Sequence, residues 1–468
     1  MDLNQEKFRG QLATVGTEGN RNWIYPKKPK GVLHNYRRGL AWLLLGLFFS
    51  GPFLKIGGHP LLLFNIFDRK FVILGSVFWP QDTHLLLFLM LIFVIFILLF
   101  TVVFGRFWCG WACPQTVFME MVFRKIEYWI EGDANRQRKL NAAPWNFEKI
   151  WKKTAKQSVF LLISLWVSHT FMAYLLGINE MQAVIISGPT ANWSGFTGLI
   201  IFTCLFYFIF SFFREQVCTL VCPYGRLQGV FLDRKSIVVL YDWIRGEPRA
   251  KLKKSAPTEH KGDCIDCNLC VQVCPTGIDI RNGTQMECVN CTACIDACDE
   301  VMTKIDKPKG LIRFDSIEGV ETKTKSLINP RVIAYSFVLV ILLCSMGFLL
   351  LSRSPIEASL TRTPGAMYQI KGDSIVSNMY QLEIINKSFD PHLIKIEVND
   401  INATLFMPAG PIDTLASQGK STIYFFIEVP KEMAYLTKEK ALVKIFMDSE
   451  VLETIKTSFP LPPSLKQK

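Results

Sequence analysis

The chain has 468 residues, half of them hydrophobic and 36 of them Phe, and carries a formal charge of +12. Its length allows about three domains. The charge requires no nucleic-acid partner, because Lys and Arg collect in particular loops between apolar runs, as the positive-inside rule for membrane proteins expects. Fourteen cysteines, most of them in segments that rule assigns to the cytoplasm, argue against disulfides and for metal.

In chain order, residues 1–38 form a mostly polar segment with KKPK at Lys27 to Lys30 and a pair at Arg37 and Arg38. Its polarity argues against an N-terminal secretory signal. A transmembrane domain is expected over 39–250, with spans at about 39–54, 85–104, 158–178 and 196–213. The first is the weakest, being broken by Gly51-Pro52. The apolar pieces 61–67 and 71–79 are too short to cross and are expected at the interface or as re-entrant segments. Residues 85–104 carry no charge, and twenty helical residues rising about 1.5 Å each cross a hydrocarbon core of about 30 Å. The connections 105–157 and 214–331 are rich in Lys and Arg, whereas the loop 179–195 has neither. A fifth span is expected over 332–352. This pattern puts the N-terminus and residues 251–331 in the cytoplasm and residues 353–468 outside, in the periplasm if the membrane is a Gram-negative bacterial inner (cytoplasmic) membrane.

The segment 251–331 reads Cys264-x2-Cys267-x2-Cys270-x3-Cys274-Pro275 and then Cys288-x2-Cys291-x2-Cys294-x3-Cys298. Three thiolates spaced by two residues wrap one face of a cubane cluster, and the fourth points to the other cluster. The spacing therefore assigns one [4Fe-4S] cluster to Cys264, Cys267, Cys270 and Cys298, and a second to Cys288, Cys291, Cys294 and Cys274. A zinc ribbon is the alternative, but it wants four ligands in two pairs and leaves thiols over. The segment resembles a bacterial two-cluster ferredoxin of α+β type. It departs from it at Asp299, which stands where the first motif has Pro275; its carboxylate either lowers that cluster's potential or points to solvent.

GRFWCGWACPQ (105–115) follows the second span and REQVCTLVCPYG (214–225) the fourth. Both place a basic residue ahead of Cys-x3-Cys-Pro: Cys109, Cys113 and Cys218, Cys222. A spacing of four sets both sulfurs of a pair on one helical face, and Pro suits the first turn of a following helix. Two related hairpins whose ends meet would gather four soft thiolates at a positively charged, partly exposed edge. Lowered thiol pKa values there would suit Cu(I) or a further cluster. Cys204 and Cys344, alone within spans, are read as packing residues. His169, mid-span, is a candidate haem or metal ligand. His34, His59, His84, His260 and His392 are read as solvated, and RAKLKK (249–254) as a solvated linker. No haem c attachment motif and no dinucleotide-binding glycine motif is present. Residues 353–468 alternate apolar and polar positions between turns and contain no cysteine, which fits an all-β immunoglobulin-like sandwich that contacts protein.

Both Cys-x3-Cys-Pro hairpins, the double ferredoxin motif, the fifth span and the β tail, in this order, resemble the CcoG family of cytochrome oxidase accessory proteins, also called FixG or RdxA. The resemblance implies a cupric reductase supplying Cu(I) for assembly of a cbb3-type oxidase, with Cu(II) reduced at or near Cys109, Cys113, Cys218 and Cys222. It implies copper ions, oxidase subunits or copper chaperones, membrane lipid and an external electron donor as partners. Two other readings stay open: a quinol-linked membrane ferredoxin, and a non-enzymatic assembly scaffold.

Overall fold

A computed structural model of the chain describes residues 13–16, 18, 20–56, 59–66, 69–73, 76–251, 262–324, 329–363, 368–388, 390–398, 403–408, 410, 414–434, 440–448 and 450–462. His260 and the linker residues Leu252, Lys253 and Lys254 lie outside them. The chain divides into two compact units, Met1–Asp68 with His84–Met346 and Arg69–Thr83 with Gly347–Lys468.

The main helices are α1 (Val32–Ser50), α2 (Thr83–Phe104), α3 (Phe147–Leu176), α4 (Trp193–Phe208), α5 (Ala293–Lys304) and α6 (Pro330–Leu351). Among the described residues four helices are long and apolar enough to cross a membrane: α2, α3, α6, and α4 with the π-helical turn that carries it on to Phe213. The first expected span is the exception. Its residues fall in α1, which starts at Val32, takes in Arg37 and Arg38, and stops at Ser50 before the turn Gly51–Phe53. Pro52 suits the first turn of that new helix.

What α1 lacks in apolar length it regains by packing. Ala41 and Leu45 join Phe118, Phe123, Phe160 and Phe210 in one buried cluster. Phe123 stacks on Phe210 at 4.8 Å and meets Phe160 edge-on at 4.7 Å, so part of the Phe excess is core. The short apolar pieces after α1 form strands, among them Leu62–Asn65 and the hairpin Lys70–Ile73 with Ser76–Phe78. The loop expected after α3 is a helix, Ile178–Ala191, kinked at Gly188 with φ of +77°.

The cysteine-rich segment folds around α5 and a strand pair, Val238–Tyr241 antiparallel to Ile312–Asp315. The first strand lies upstream of residue 251, so the framework of the cysteine-rich fold begins earlier than the composition suggests.

In the second unit, one sheet runs Thr404–Phe406, Lys420–Pro430, Ile375–Asn386, Ile356–Arg362, with Gln369–Lys371 also on Ile375–Asn386. The other runs Ile394–Val398, Lys440–Met447, Glu450–Ser458. Tyr380, Phe425, Val443 and Ile445 are fully buried in a common core, and the Tyr380 hydroxyl donates to the Ser458 carbonyl at 2.7 Å. This is an immunoglobulin-like β domain.

Within the same unit Asp82 is buried and takes Lys387 on one oxygen and Arg353 on the other, both at 2.6 Å. Burial alone would raise its pKa, but the Lys387 hydrogen bond, the Trp79 amide and Arg353 outweigh it and hold the carboxyl below its ordinary value of 3.8. A carboxylate with a depressed folded pKa stabilises the fold above its unfolded pKa, and that contribution is lost as pH falls through the folded value. Asp82→Asn should cost about 2 kcal/mol at neutral pH, since it takes the carboxylate from half-buried Arg353 and leaves Lys387 with Glu357. It should also flatten the acid loss of stability below pH 3.8, which hydrogen exchange of strands Ile375–Asn386 and Lys420–Pro430 would register.

Candidate metal centres

The two ferredoxin motifs fold alike. In the first, Asp266 and Asn268 have φ of +50° and +56°, and in the second Asn290 and Thr292 have +52° and +65°. Each pair flanks the middle cysteine of its motif, Cys267 or Cys291. Asp and Asn tolerate this left-handed conformation better than most residues. Alternating handedness turns successive backbone N–H groups inward, making a concavity that suits an anionic cluster.

Two cavities result. One is lined by Cys274, Cys288, Cys291 and Cys294, with Val239 and Ile280. The other is lined by Cys264, Cys267, Cys298, Tyr241, Met302 and Arg281. Cys270 lines both. Cys270 apart, the two cavities are lined by different thiols, and such a donor set suits [4Fe-4S] clusters. No group of three His, Cys, Asp or Glu side chains among the described residues is arranged to hold one metal ion. Burial pushes Cys288 and Cys298 up to about 12, so loading a metal must displace thiol protons. Asp299 does not point freely to solvent: its carboxylate accepts the Gly310 amide at 2.9 Å.

The two membrane-edge motifs also repeat each other in conformation. Gly105 and Arg214, each four residues ahead of a first cysteine, share φ of +54°. Cys113 and Cys222 are both extended, with ψ of 126° and 112°, and each caps a helix that Pro114 or Pro223 starts. A residue before proline is pushed out of the helical region, so the short helix Phe107–Trp111 ends before Cys113, and the pair does not share one continuous helix. Cys218 sits in a π-helical turn, Val217–Val221.

The motifs converge. The Arg106 guanidinium donates to the Gly225 carbonyl, Gln115 Nε2 to the Arg214 carbonyl at 3.2 Å, and Cys109 Sγ to Gln228 Oε1 at 3.4 Å. Cys218 lies within electrostatic reach of Cys113, Cys109 and Cys222, and Cys109 within reach of Cys113 and Cys222. The expectation of lowered thiol pKa values is corrected here. Burial pushes Cys109 up to about 11, outweighing the nearby Arg106, and pushes Cys218 up to about 12.

The thiol edge lies directly on the ferredoxin fold. Cys109 packs against the cluster of Val273, Val289 and Cys291. Gly110 is so close to this loop that a Cβ would stand 2.3 Å from the Val289 carbonyl oxygen. Arg37 Nε donates to the Gly110 carbonyl at 2.6 Å.

Beside the thiols lies a buried ion-pair network. Arg124, 1% exposed, reaches Glu120 and Glu215, each at 3.4 Å. Glu127 pairs with Arg214 at 2.7 Å, and Lys156 with Glu131 at 2.9 Å. Burial opposes the Arg124 charge, but Glu120 and Glu215 outweigh it and raise its pKa. The i, i+4 spacings Glu120/Arg124 and Glu127/Glu131 within an otherwise apolar stretch were the available signal for this network. Gln228 gave none.

Other expected residues stay apart. Cys204 and Cys344 are exposed on α4 and α6. His169 Nδ1 bonds the Leu165 carbonyl of its own helix at 2.8 Å. Two histidines read as solvated are corrected. His34 is half-buried, with its amide on Asp296 at 2.8 Å, and burial with Arg37 and Lys125 lowers its pKa to about 4. His392 is held between Ser388 at 3.0 Å and Asp448 at 2.5 Å. His84 is exposed.

Comparison with known proteins bears on these features. Residues 213–317 match the 4Fe-4S dicluster domain family, 86–136 the 4Fe-4S binding domain family, and 346–462 the IG-like fold at the C-terminal of FixG. RdxB of Cereibacter sphaeroides is 33% identical over 400 residues, covering 82% of this chain and 83% of RdxB. The chain belongs to the FixG/RdxA/RdxB family. The nitrogen fixation protein FixG of Rhizobium meliloti is 30% identical, covering 87% of this chain and 84% of FixG. RdxA of Cereibacter sphaeroides is 32% identical, with 81% and 82% covered. This FixG-family chain is thus a membrane-bound iron-sulfur electron-transfer protein with a C-terminal immunoglobulin-like domain.

Arg124→Ala would take from Glu120 its arginine and leave Glu215 on its longer contacts to Arg21 at 3.7 Å and Arg214 at 3.8 Å. A loss of about 3–5 kcal/mol is expected, seen as a lower thermal unfolding midpoint in detergent, with Arg124→Lys recovering part of it.

Proposed function

We propose that this FixG-family protein is a cupric reductase that supplies Cu(I) for assembly of a cbb3-type cytochrome oxidase. The observation that carries the reading is the contact of Cys109 and Gly110 with the Val289–Asn290 loop, which packs the thiol edge against a cysteine-lined cavity. In this reading Cys264, Cys267, Cys270 and Cys298 hold one [4Fe-4S] cluster, and Cys274, Cys288, Cys291 and Cys294 the other. Such clusters, when bound, supply one-electron transfer.

The chain's own contribution is to line two cavities with these thiols and to present four more at the membrane edge, where Arg37 and Arg106 tie the Gly110 and Gly225 carbonyls. Cu(II) is the substrate, and each ion takes one electron to become Cu(I). Soft thiolates prefer Cu(I), which makes that reduction more favourable near Cys109, Cys113, Cys218 and Cys222. The electron comes from an external donor, since the sequence carries no flavin or nicotinamide signature. Product Cu(I) passes to copper chaperones or oxidase subunits. The distribution of Lys and Arg favours an inner-membrane protein with the cysteine-rich fold in the cytoplasm and the β domain in the periplasm.

A second reading is a quinol-linked electron carrier. The carboxylates Glu120, Glu127 and Glu215 beside the thiols favour it, because quinol oxidation must also release protons.

Anaerobically purified, reduced protein in detergent, given Cu(II) and a Cu(I) chelator, should produce Cu(I) rapidly. The Cys109→Ser/Cys218→Ser variant should lose most of that rate. An equal rate in the variant would count against copper reduction at this edge, and reduction by a quinol without copper activity would favour the second reading.

A further inference from the structure

The two ferredoxin motifs share a backbone conformation but not an environment. In the second, the loop Asn290-Cys291-Thr292 is covered: Asn290 is 2% exposed and Thr292 1%, and Cys109 and Gly110 lie against it. In the first, the matching loop Asp266-Cys267-Asn268 faces solvent. Of the eight cysteines in the two motifs Cys267 alone is exposed, and Asn268 beside it is exposed too. The face that meets the membrane-edge thiols in one half of the repeat is therefore open in the other. Electrons cross between redox groups only on close approach, and an open rim allows a second protein to make that approach.

The charge around this rim is one-sided. Its carboxylates are mostly paired within the fold: Asp266 and Asp279 with Arg281 at 2.6 and 2.7 Å, Asp263 with Lys307 at 2.7 Å, and Glu247 with Arg249 at 2.9 Å. Four exposed lysines, Lys27, Lys30, Lys251 and Lys309, make no ion pair among the described residues. They sit beside the first motif. Ala250, next to Lys251, donates its amide to the Cys264 carbonyl at 3.3 Å, and the Lys27 amide donates to the Gln272 carbonyl at 2.8 Å. Arg245, two contacts from Cys264 through Asp263, donates to the Lys309 carbonyl at 3.1 Å. Asp299 and Asp306, also without an ion pair among the described residues, offset part of this charge. A positive excess remains, and complementary charge is what steers and orients a transient protein partner.

We propose that the rim around Cys267 is the port by which electrons enter, and that Lys27, Lys30, Lys251 and Lys309 dock a small acidic one-electron carrier protein of ferredoxin type. One electron passes from the carrier, which is oxidised, to the cluster on Cys264, Cys267, Cys270 and Cys298, which is reduced. No bond or proton changes hands. The covered loop of the second motif is then the exit, toward the thiol edge. The proposal rests on the electron-transfer reading and gives its external donor a chemical class and a seat.

The probe is a reduced plant-type [2Fe-2S] ferredoxin, mixed with anaerobically purified, iron-loaded full-length protein in detergent. Stopped-flow absorbance follows its oxidation. A carbodiimide, which joins carboxylates to lysines, followed by peptide mass spectrometry, maps where it sits. Cross-links are expected on Lys27, Lys30, Lys251 or Lys309, and Lys251→Glu/Lys309→Glu at matched iron content should slow transfer roughly tenfold, as should added salt. No cross-link, cross-links confined to other lysines, or equal rates in wild type and variant would overturn the proposal. Should the variant fail to take up iron, the wild-type cross-links alone decide. The electron-transfer reading fails on a different result: iron-loaded protein that dithionite cannot reduce would sink it, whereas the cross-link map tests the docking surface without any electron moving.

Discussion

The close approach of Gly110 to the Val289 carbonyl is the contact on which the electron-transfer account depends. A side chain at position 110 would put carbon 2.3 Å from that oxygen, so only glycine lets the turn after α2 lie flat on the second ferredoxin loop. Arg37 holds the same peptide from the α1 side through its carbonyl. The reach of Cys109 toward the Cys291 loop follows from that fit.

Everything around the contact serves to hold two repeated elements in register. The ferredoxin loops repeat a pair of left-handed residues about their middle cysteine, and the membrane-edge turns repeat a left-handed residue, an extended cysteine and a proline-started helix. Phe123, Phe160 and Phe210 supply the apolar packing beneath. Arg124 and Arg214, with Glu120, Glu127 and Glu215, supply paired charge where the backbone departs from regular helix. Buried ion pairs add little net stability in general, but removing one member leaves the others exposed to the full cost of burial. That makes the network a device for fixing geometry.

Much of this was legible in the sequence, because cysteine spacing, charge-free runs and alternating strands are local signals. Cys264 to Cys298 could be grouped from spacing alone, and Leu85 to Phe104 could be read as a span from the absence of charge. What was not legible depends on contacts distant in sequence. The strand Val238–Tyr241 is recognisable only with its partner Ile312–Asp315. Arg37 was read as part of the polar N-terminal segment and proves to be buried inside α1. Thiol acidity at Cys109 and Cys218 was misjudged because the positive neighbours are visible in sequence and the burial is not. His392 gained Asp448 from 56 positions away, which no periodicity reveals.

The most direct measurement uses Gly110→Val. The protein would be reduced, its iron content matched to wild type, and reoxidation of its ferredoxin clusters by Cu(II) followed by stopped-flow absorbance. If the Gly110 contact joins the ferredoxin fold to the thiol edge, reoxidation should slow several-fold at equal iron content. Equal rates in the two proteins would contradict the account.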